Sequence, residues 1–220
     1  ALARERNATL TELAAAVLLR AIHNGMRVRD RKKPVVITVP VNLRSYFPSE
    51  SARNFFATIN VGYDFSQGEG SLEAVLEAVR QSFQENLTEE RMRRQMNVLC
   101  ALEHSVPLRL VPLPVKDVIL RVANRLTAWG VTASFSNVGK VSMPKGMDTL
   151  IRRFSVFTSA GMLQACACSF GGEYVVSFAS PFRNHEVERV FFRELAQLGM
   201  EIVLTTNLPP EKEGESRAVL

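Results

Sequence analysis

The stretch that decides the fold is Pro34-Val-Val-Ile-Thr-Val-Pro-Val-Asn-Leu-Arg44. β-branched residues dominate Pro34 to Val41, so this part reads as a strand. Apolar residues run through it almost unbroken, where a strand with one wet face would alternate. The pattern predicts a strand covered on both faces. Pro40 has no N–H to give to a ladder, so the strand is expected to reach an edge or a bulge there. From Asn42 to Arg53 the chain turns polar and reads as a loop.

Upstream, Thr9-Leu-Thr-Glu12 has the capping-box pattern. Leu10, Leu13, Val17, Ala21 and Ile22 follow at helical spacing, and Gly25 weakens the helix end. The basic run Arg27 to Lys33 reads as a solvated connection. Downstream, Phe55 to Phe65 predicts a second strand. Ser71 and Thr88 can each cap a helix, the first over Leu72, Val75, Leu76, Val79 and Phe83, the second through Met92, Met96 and Leu99. Three prolines between Pro107 and Pro114 break the helical pattern. It resumes over Val115 to Trp129, with Val118, Ile119, Val122 and Leu126 on one face.

The last third predicts strands at Thr132 to Val141, Arg152 to Thr158, Leu163 to Phe170 and Glu173 to Ser180. Gly171-Gly172 signals a hairpin between the last two. Asn184 is expected to cap a helix with Glu186 and Glu188 in its first turn, and Gly199 to end it. Glu201 to Thr205 predicts a final strand. The fold class is α/β (α+β): a mixed β-sheet flanked by helices. At 220 residues, 46% hydrophobic and 22% charged, the chain suits one compact domain. Residues 1–8 read as an N-terminal extension, 9–206 as the folded lobe and 207–220 as a disordered tail.

The net charge of +5 is not clustered with aromatics as a nucleic-acid surface would be, so no nucleic acid is expected. Arg91, Arg93 and Arg94 follow Glu89 and Glu90, which suits helix charge pairing. Leu108 to Leu126 carries Arg109, Lys116, Arg121 and Arg125 among apolar residues. That mixture fits either an interfacial helix or, the reading preferred, core packing with basic tips in water. Three cysteines make no disulfide framework, and Cys166 and Cys168 alone lack the ligands of a zinc site, so they read as buried thiols in a reducing, cytoplasmic compartment. No apolar run reaches the ~18 residues of a membrane span, and no signal peptide is read at the start. The chain opens on Ala1 and is expected to be part of something longer.

The three histidines, His23, His104 and His185, are solitary, and no H-E-x-x-H or G-x-S-x-G motif occurs. No catalytic residue and no metal ligand is therefore expected. Three polar segments each interrupt an apolar strand: Val39-Pro-Val-Asn-Leu-Arg44, Arg53-Asn-Phe-Phe-Ala-Thr-Ile-Asn60 and Ser134-Phe-Ser-Asn-Val-Gly139. Taken singly, such residues satisfy backbone groups at turns.

As an ordered set they resemble the C-terminal half of the chloramphenicol-acetyltransferase-like, CoA-dependent acyltransferases, a group with alcohol acetyltransferases, condensation domains and wax-ester synthases. Val39 to Arg44 resembles that family's P-V-x-x-R strand end. Arg53 to Asn60 resembles its G-N-F-x-N-T segment, with Arg53 where glycine is common, and Ser134 to Gly139 resembles its S-N-x-G strand. The resemblance covers about residues 9–206. It implies a half-fold whose active-site tunnel lies against a second lobe carrying an H-H-x-x-x-D motif, absent here, that supplies the general base. It further implies acyl-CoA or an acyl-carrier thioester as donor, an alcohol as acceptor and no tightly bound cofactor. Ser136, Asn137 and Gly139 would line the tunnel, and Arg44, Asn42, Asn54 and Asn60 would brace the lobe junction, Arg44 beside the missing motif's Asp. A non-catalytic binding or scaffolding module of the same fold is the alternative. The missing N-terminal lobe is the implied partner. Alone, the fragment is expected to self-associate over the surface left bare.

Overall fold

The computed structural model describes residues 2–105, 110–144, 146, 150–158 and 161–207, and of 103, 127 and 128 the backbone only. A single turn, α1 (Leu2–Glu5), leads into α2 (Leu10–Gly25). Thr9 Oγ1 accepts from Glu12 N–H at 3.1 Å, and the Glu12 carboxylate accepts from Thr9 N–H at 2.7 Å, closing the predicted box. Nine residues of α2, Leu13 to Leu19 with Ala21 and Ile22, are buried, which makes it the central helix.

Strands β1 (Val35–Asn42) and β2 (Phe56–Tyr63) pair antiparallel, from Val35 opposite Tyr63 to Asn42 opposite Phe56. The helices α3 (Leu72–Asn86) and α4 (Glu89–His104) start at Ser71 and Thr88, whose hydroxyls accept from Ala74 N–H and Arg91 N–H. Then come α5 (Leu113–Ala128), β3 (Ala133–Lys140), β4 (Leu163–Phe170), β5 (Glu173–Ala179) and α6 (Glu186–Gln197). The sheet order is β2-β1-β3-β4-β5. Its outer pairs are antiparallel and its inner pairs, β1–β3 and β3–β4, are parallel, so the sheet is mixed.

Side chains alternate across a sheet, so register sorts them onto two faces. Val35, Ile37, Val39, Ala57, Ile59, Val61, Ala133, Phe135, Leu163, Ala165 and Ala167 form one core with α2, α3 and the α6 residues Phe191 and Leu195. On β5, Tyr174, Val176 and Phe178 join this side, and Phe178 meets Phe191 and Phe192 edge-on at 5.1 and 5.6 Å. β1 is not covered equally on both sides. Its residues alternate between buried and half-buried, because the described helices of the core lie on one face only.

Two predicted strands do not form. Residues 151–158 lie outside any ladder. The free edges of the sheet belong to β2 and β5, and the segment pairs with neither. The segment instead crosses near β4: Phe154 packs edge-on against Phe170 at 4.9 Å, and Arg153 makes two hydrogen bonds to Glu173 at 2.6 and 3.1 Å. Residues 201–207 also lie outside the sheet, with Val203 and Leu204 exposed. Helix α5 begins at Leu113, earlier than predicted, since Pro112 and Pro114 fall at the cap and first turn, where no intrahelical N–H bond is lost. Asn184 accepts from Glu186 N–H at 3.0 Å, but the N-cap itself is His185. The predicted tail lies outside the described residues except for Asn207, as do Leu108 and Arg109 of the basic apolar stretch.

Candidate functional site

The face of the sheet away from the helix-packed core carries small polar side chains in register. Asn60 lies opposite Thr38, Thr38 beside Ser134, and Ser134 beside Gln164. A second row places Ser136 beside Cys166 and Cys166 opposite Ser177. At about 4.8 Å per strand, the first row spans roughly 15 Å over four strands. β1 and β3 pair only at Ile37 with Ala133 and Thr38 with Ser134. Beyond that, the C-terminal halves of both strands, with Pro40 to Asn42 and Ser136 to Gly139, run without ladder pairing to each other. Pro40 thus sits past the end of that pairing, where its missing N–H costs nothing in the β1–β3 ladder.

The two central residues of the third polar segment face opposite ways. Ser136 is half-buried on the polar face. Asn137 turns toward the helices: its Nδ2 donates to Thr11 Oγ1 at 2.8 Å, and its Oδ1 accepts from Gly139 N–H at 2.9 Å. The β3–β4 register slips between Asn137 and Lys140, where Gly139 takes φ +82. Nothing lies within 4 Å of a Cβ built there, so glycine answers a backbone need rather than a packing one.

Arg44 follows β1 in a short 3₁₀ turn, Leu43–Ser45, capped by Asn42 Oδ1 accepting from Arg44 N–H at 3.1 Å. Its Nη2 donates to the carbonyls of Ser51 at 2.5 Å and Arg53 at 2.8 Å, and the guanidinium stands 5.9 Å from the Phe55 ring centre. Arg44 is exposed, and among the described residues no carboxylate pairs with it. A cation in water beside two carbonyls carries little of the penalty a buried orphan would. Asn54 is exposed in the loop before β2, and Asn60 is exposed on β2.

No histidine reaches this face. His23 stacks on Phe65 at 4.1 Å, His104 closes α4 and His185 lies 3.3 Å from Glu188. Cys166 and Cys168 are buried, and burial pushes the Cys168 thiol above its usual range, which suppresses the thiolate. The arrangement offers neutral hydroxyls and amides that can donate to a carbonyl, and no general base among the described residues. Sequence reading quoted Ser134 only within the third polar segment, and missed Thr38, Gln164 and Thr11. Thr38 and Gln164 were legible in principle, as single polar residues inside apolar strands. Thr11 was not, being 126 positions from Asn137. Along the outer edge of the sheet, Phe56 to Thr58 and α4 enclose a groove of about 600 Å³, where Gln95 donates to the Thr58 carbonyl at 3.4 Å.

No protein-family model matches the sequence, and no curated protein matches it. Solved structures do. Polyketide synthase associated protein 5 from Mycobacterium tuberculosis matches at 11% identity with a TM-score of 0.54, over 90% of this chain and 46% of its own. The trichothecene 15-O-acetyltransferase of Fusarium sporotrichioides matches at 13% and 0.53, over 86% of this chain and 40% of its own. The first condensation domain of the CDA synthetase matches at 15% and 0.51, over 90% and 41%. The chain therefore has the fold of one half of the chloramphenicol-acetyltransferase-like acyltransferases and condensation domains, and spans less than half the length of these structures.

Proposed function

We propose that this chain is the C-terminal portion of an acyltransferase that moves an acyl group from acyl-CoA, or a carrier-bound thioester, to an alcohol. The observation that carries the reading is its fit, over about nine-tenths of its length, to 40–46% of proteins that include an O-acetyltransferase. A second lobe would face the polar rows and supply the histidine that takes the acceptor's proton as its oxygen attacks the thioester carbonyl. Ser136, on the polar face, is the candidate donor to the developing oxyanion or to the pantetheine arm. Asn137 would act indirectly, by fixing the β3 end through Thr11 and Gly139. Arg44 would hold the 45–55 loop at the junction.

The chain alone should be inert. Incubated with acetyl-CoA and a panel of alcohols, it is expected to release no thiol above background, and turnover would sink the requirement for an outside base. Joined to a lobe bearing H-H-x-x-x-D, it should turn over, and Ser136→Ala should lower kcat by about a hundredfold. An unchanged kcat removes Ser136 from the machinery. The bare junction surface also predicts self-association of the isolated chain, and a monomer by light scattering counts against it.

One observation favours a second reading, a binding module without chemistry: the polar face has hydrogen-bond donors but no base among the described residues. An assembled two-lobe protein that binds acyl-CoA yet never transfers the acyl group would decide for it.

A further inference from the structure

Helix α5 leaves its whole apolar side in solvent, where α4 does so only beyond Met96 and still buries Met92. Val115, Val118, Ile119, Val122 and Leu126 are each at least half exposed, and Trp129, just past the helix end, is 82% exposed. None of the described elements packs along this helix. The expected core packing is thus not what the structure has.

The pattern around the helix is ordered. At 100° per residue those five aliphatics and Trp129 fall within an arc of about 100°. Arg121 and Arg125 border the arc on one side and Lys116 on the other. The helix's one acidic residue, Asp117, lies on the far side, and Leu113 and Leu120 stand outside the arc. Among the described residues none of the three cations is in an ion pair. No helix of the described residues is long and apolar enough to cross a membrane, so α5, some 24 Å long, could only lie in a membrane's plane.

We propose that α5 is a docking surface for the anionic face of a lipid bilayer. The apolar arc would enter the boundary between headgroups and acyl chains. The long stems of Lys116, Arg121 and Arg125 would follow it down while their charges stay among lipid phosphates and carboxylates. Trp129 would sit at the headgroup level, which an amphipathic ring prefers. Charge selects this occupant: both borders are cationic and neither carries an acid, which complements an anionic headgroup layer along the whole length of the helix. The inference is independent of acyl transfer.

Trp129 is the only tryptophan of the chain, so its fluorescence reads the surface directly. The chain should co-float with vesicles of phosphatidylcholine and phosphatidylserine, with a blue shift of Trp129 emission. Phosphatidylcholine alone should give much weaker binding. Val122→Glu, at an exposed site, should lose both signals while its circular dichroism stays that of the parent. Ile119→Ser is the second variant should the first misfold. Changing Lys116, Arg121 and Arg125 together to Gln should weaken binding to the anionic vesicles by roughly a hundredfold at low salt, taking about one kcal/mol per charge. No co-flotation, or co-flotation that survives Val122→Glu, overturns the proposal. So does a blue shift without vesicles that grows with protein concentration and vanishes in Val122→Glu, which would give the face to a second copy of the chain. Failure here leaves the acyltransferase reading standing, since neither readout involves acyl transfer.

Discussion

Glu194 keeps only 11% of its side chain in solvent, between α6 and the central helix. Its Oε1 accepts from Asn24 Nδ2 at 3.1 Å, but its Oε2 is buried without a hydrogen bond, 3.6 Å from Arg20 Nη1. Burial raises the carboxyl above its ordinary 4.5, while Arg20 and Asn24 pull it back without cancelling the shift. The folded state thus holds this proton more tightly than the unfolded one. Its stabilising effect is complete below the ordinary value and is lost as pH rises through the raised one. Glu194→Gln should remove that dependence. Thermal melts of the two proteins should diverge as pH climbs above about 4.5, with the parent losing ground, and parallel curves refute the assignment. Arg44 gives a second test at this scale. Arg44→Lys keeps the charge but not the planar guanidinium whose Nη2 reaches two carbonyls, so amide exchange at residues 51–55 should quicken with global stability lower by about 1 kcal/mol or less.

Among the elements, the β4–β5 hairpin turns on Gly171 and Gly172, at φ +59 and +89, with nothing within 4 Å of a Cβ built on either. Both residues are left-handed, as a two-residue hairpin turn requires, and the demand is purely conformational. Gly172→Val should cost about 1–2 kcal/mol in chemical denaturation, while Gly171→Asn should be close to neutral; equal losses would contradict this reading. The hairpin was legible in the sequence because its cause is local, and so were the caps at Thr9, Ser71 and Thr88. Residues 151–158 and 201–205 were misread for the opposite reason. Their apolar alternation satisfies the local pattern of a strand, but a strand exists only where it docks on a free edge, and neither segment pairs with the free edge of β2 or of β5. At the candidate site the same division holds. The Asn42 and Asn137 side chains both make local turn bonds of the kind expected, yet which way Ser136 and Asn137 face depends on pairing with β4, far along the chain. The exposed arc of α5 was legible as a pattern, though not as an exposed one, since only the three-dimensional neighbours decide exposure.

For the whole molecule, the notable closure is between α2 and α6, elements from opposite ends of the described chain. Arg20 and Asn24 meet Glu194, and Gly25 lets the helices approach: a Cβ on Gly25 would stand 3.0 Å from Val187 Cγ2. Gly25→Val should destabilise the fold by about 1–3 kcal/mol through overpacking. Val187→Ala in the same chain should recover part of the loss, which a double-mutant cycle would measure; additive losses would mean the two residues do not meet.

That contact sets a timetable for synthesis. A ribosome releases α6 some 160 residues after α2, at about 5–20 residues per second. For that interval, roughly ten to thirty seconds, the most apolar of the described helices lacks one of the surfaces that will cover it. The nascent protein should therefore depend on a holding chaperone until α6 emerges, and slowing translation between α2 and α6 should lengthen that dependence.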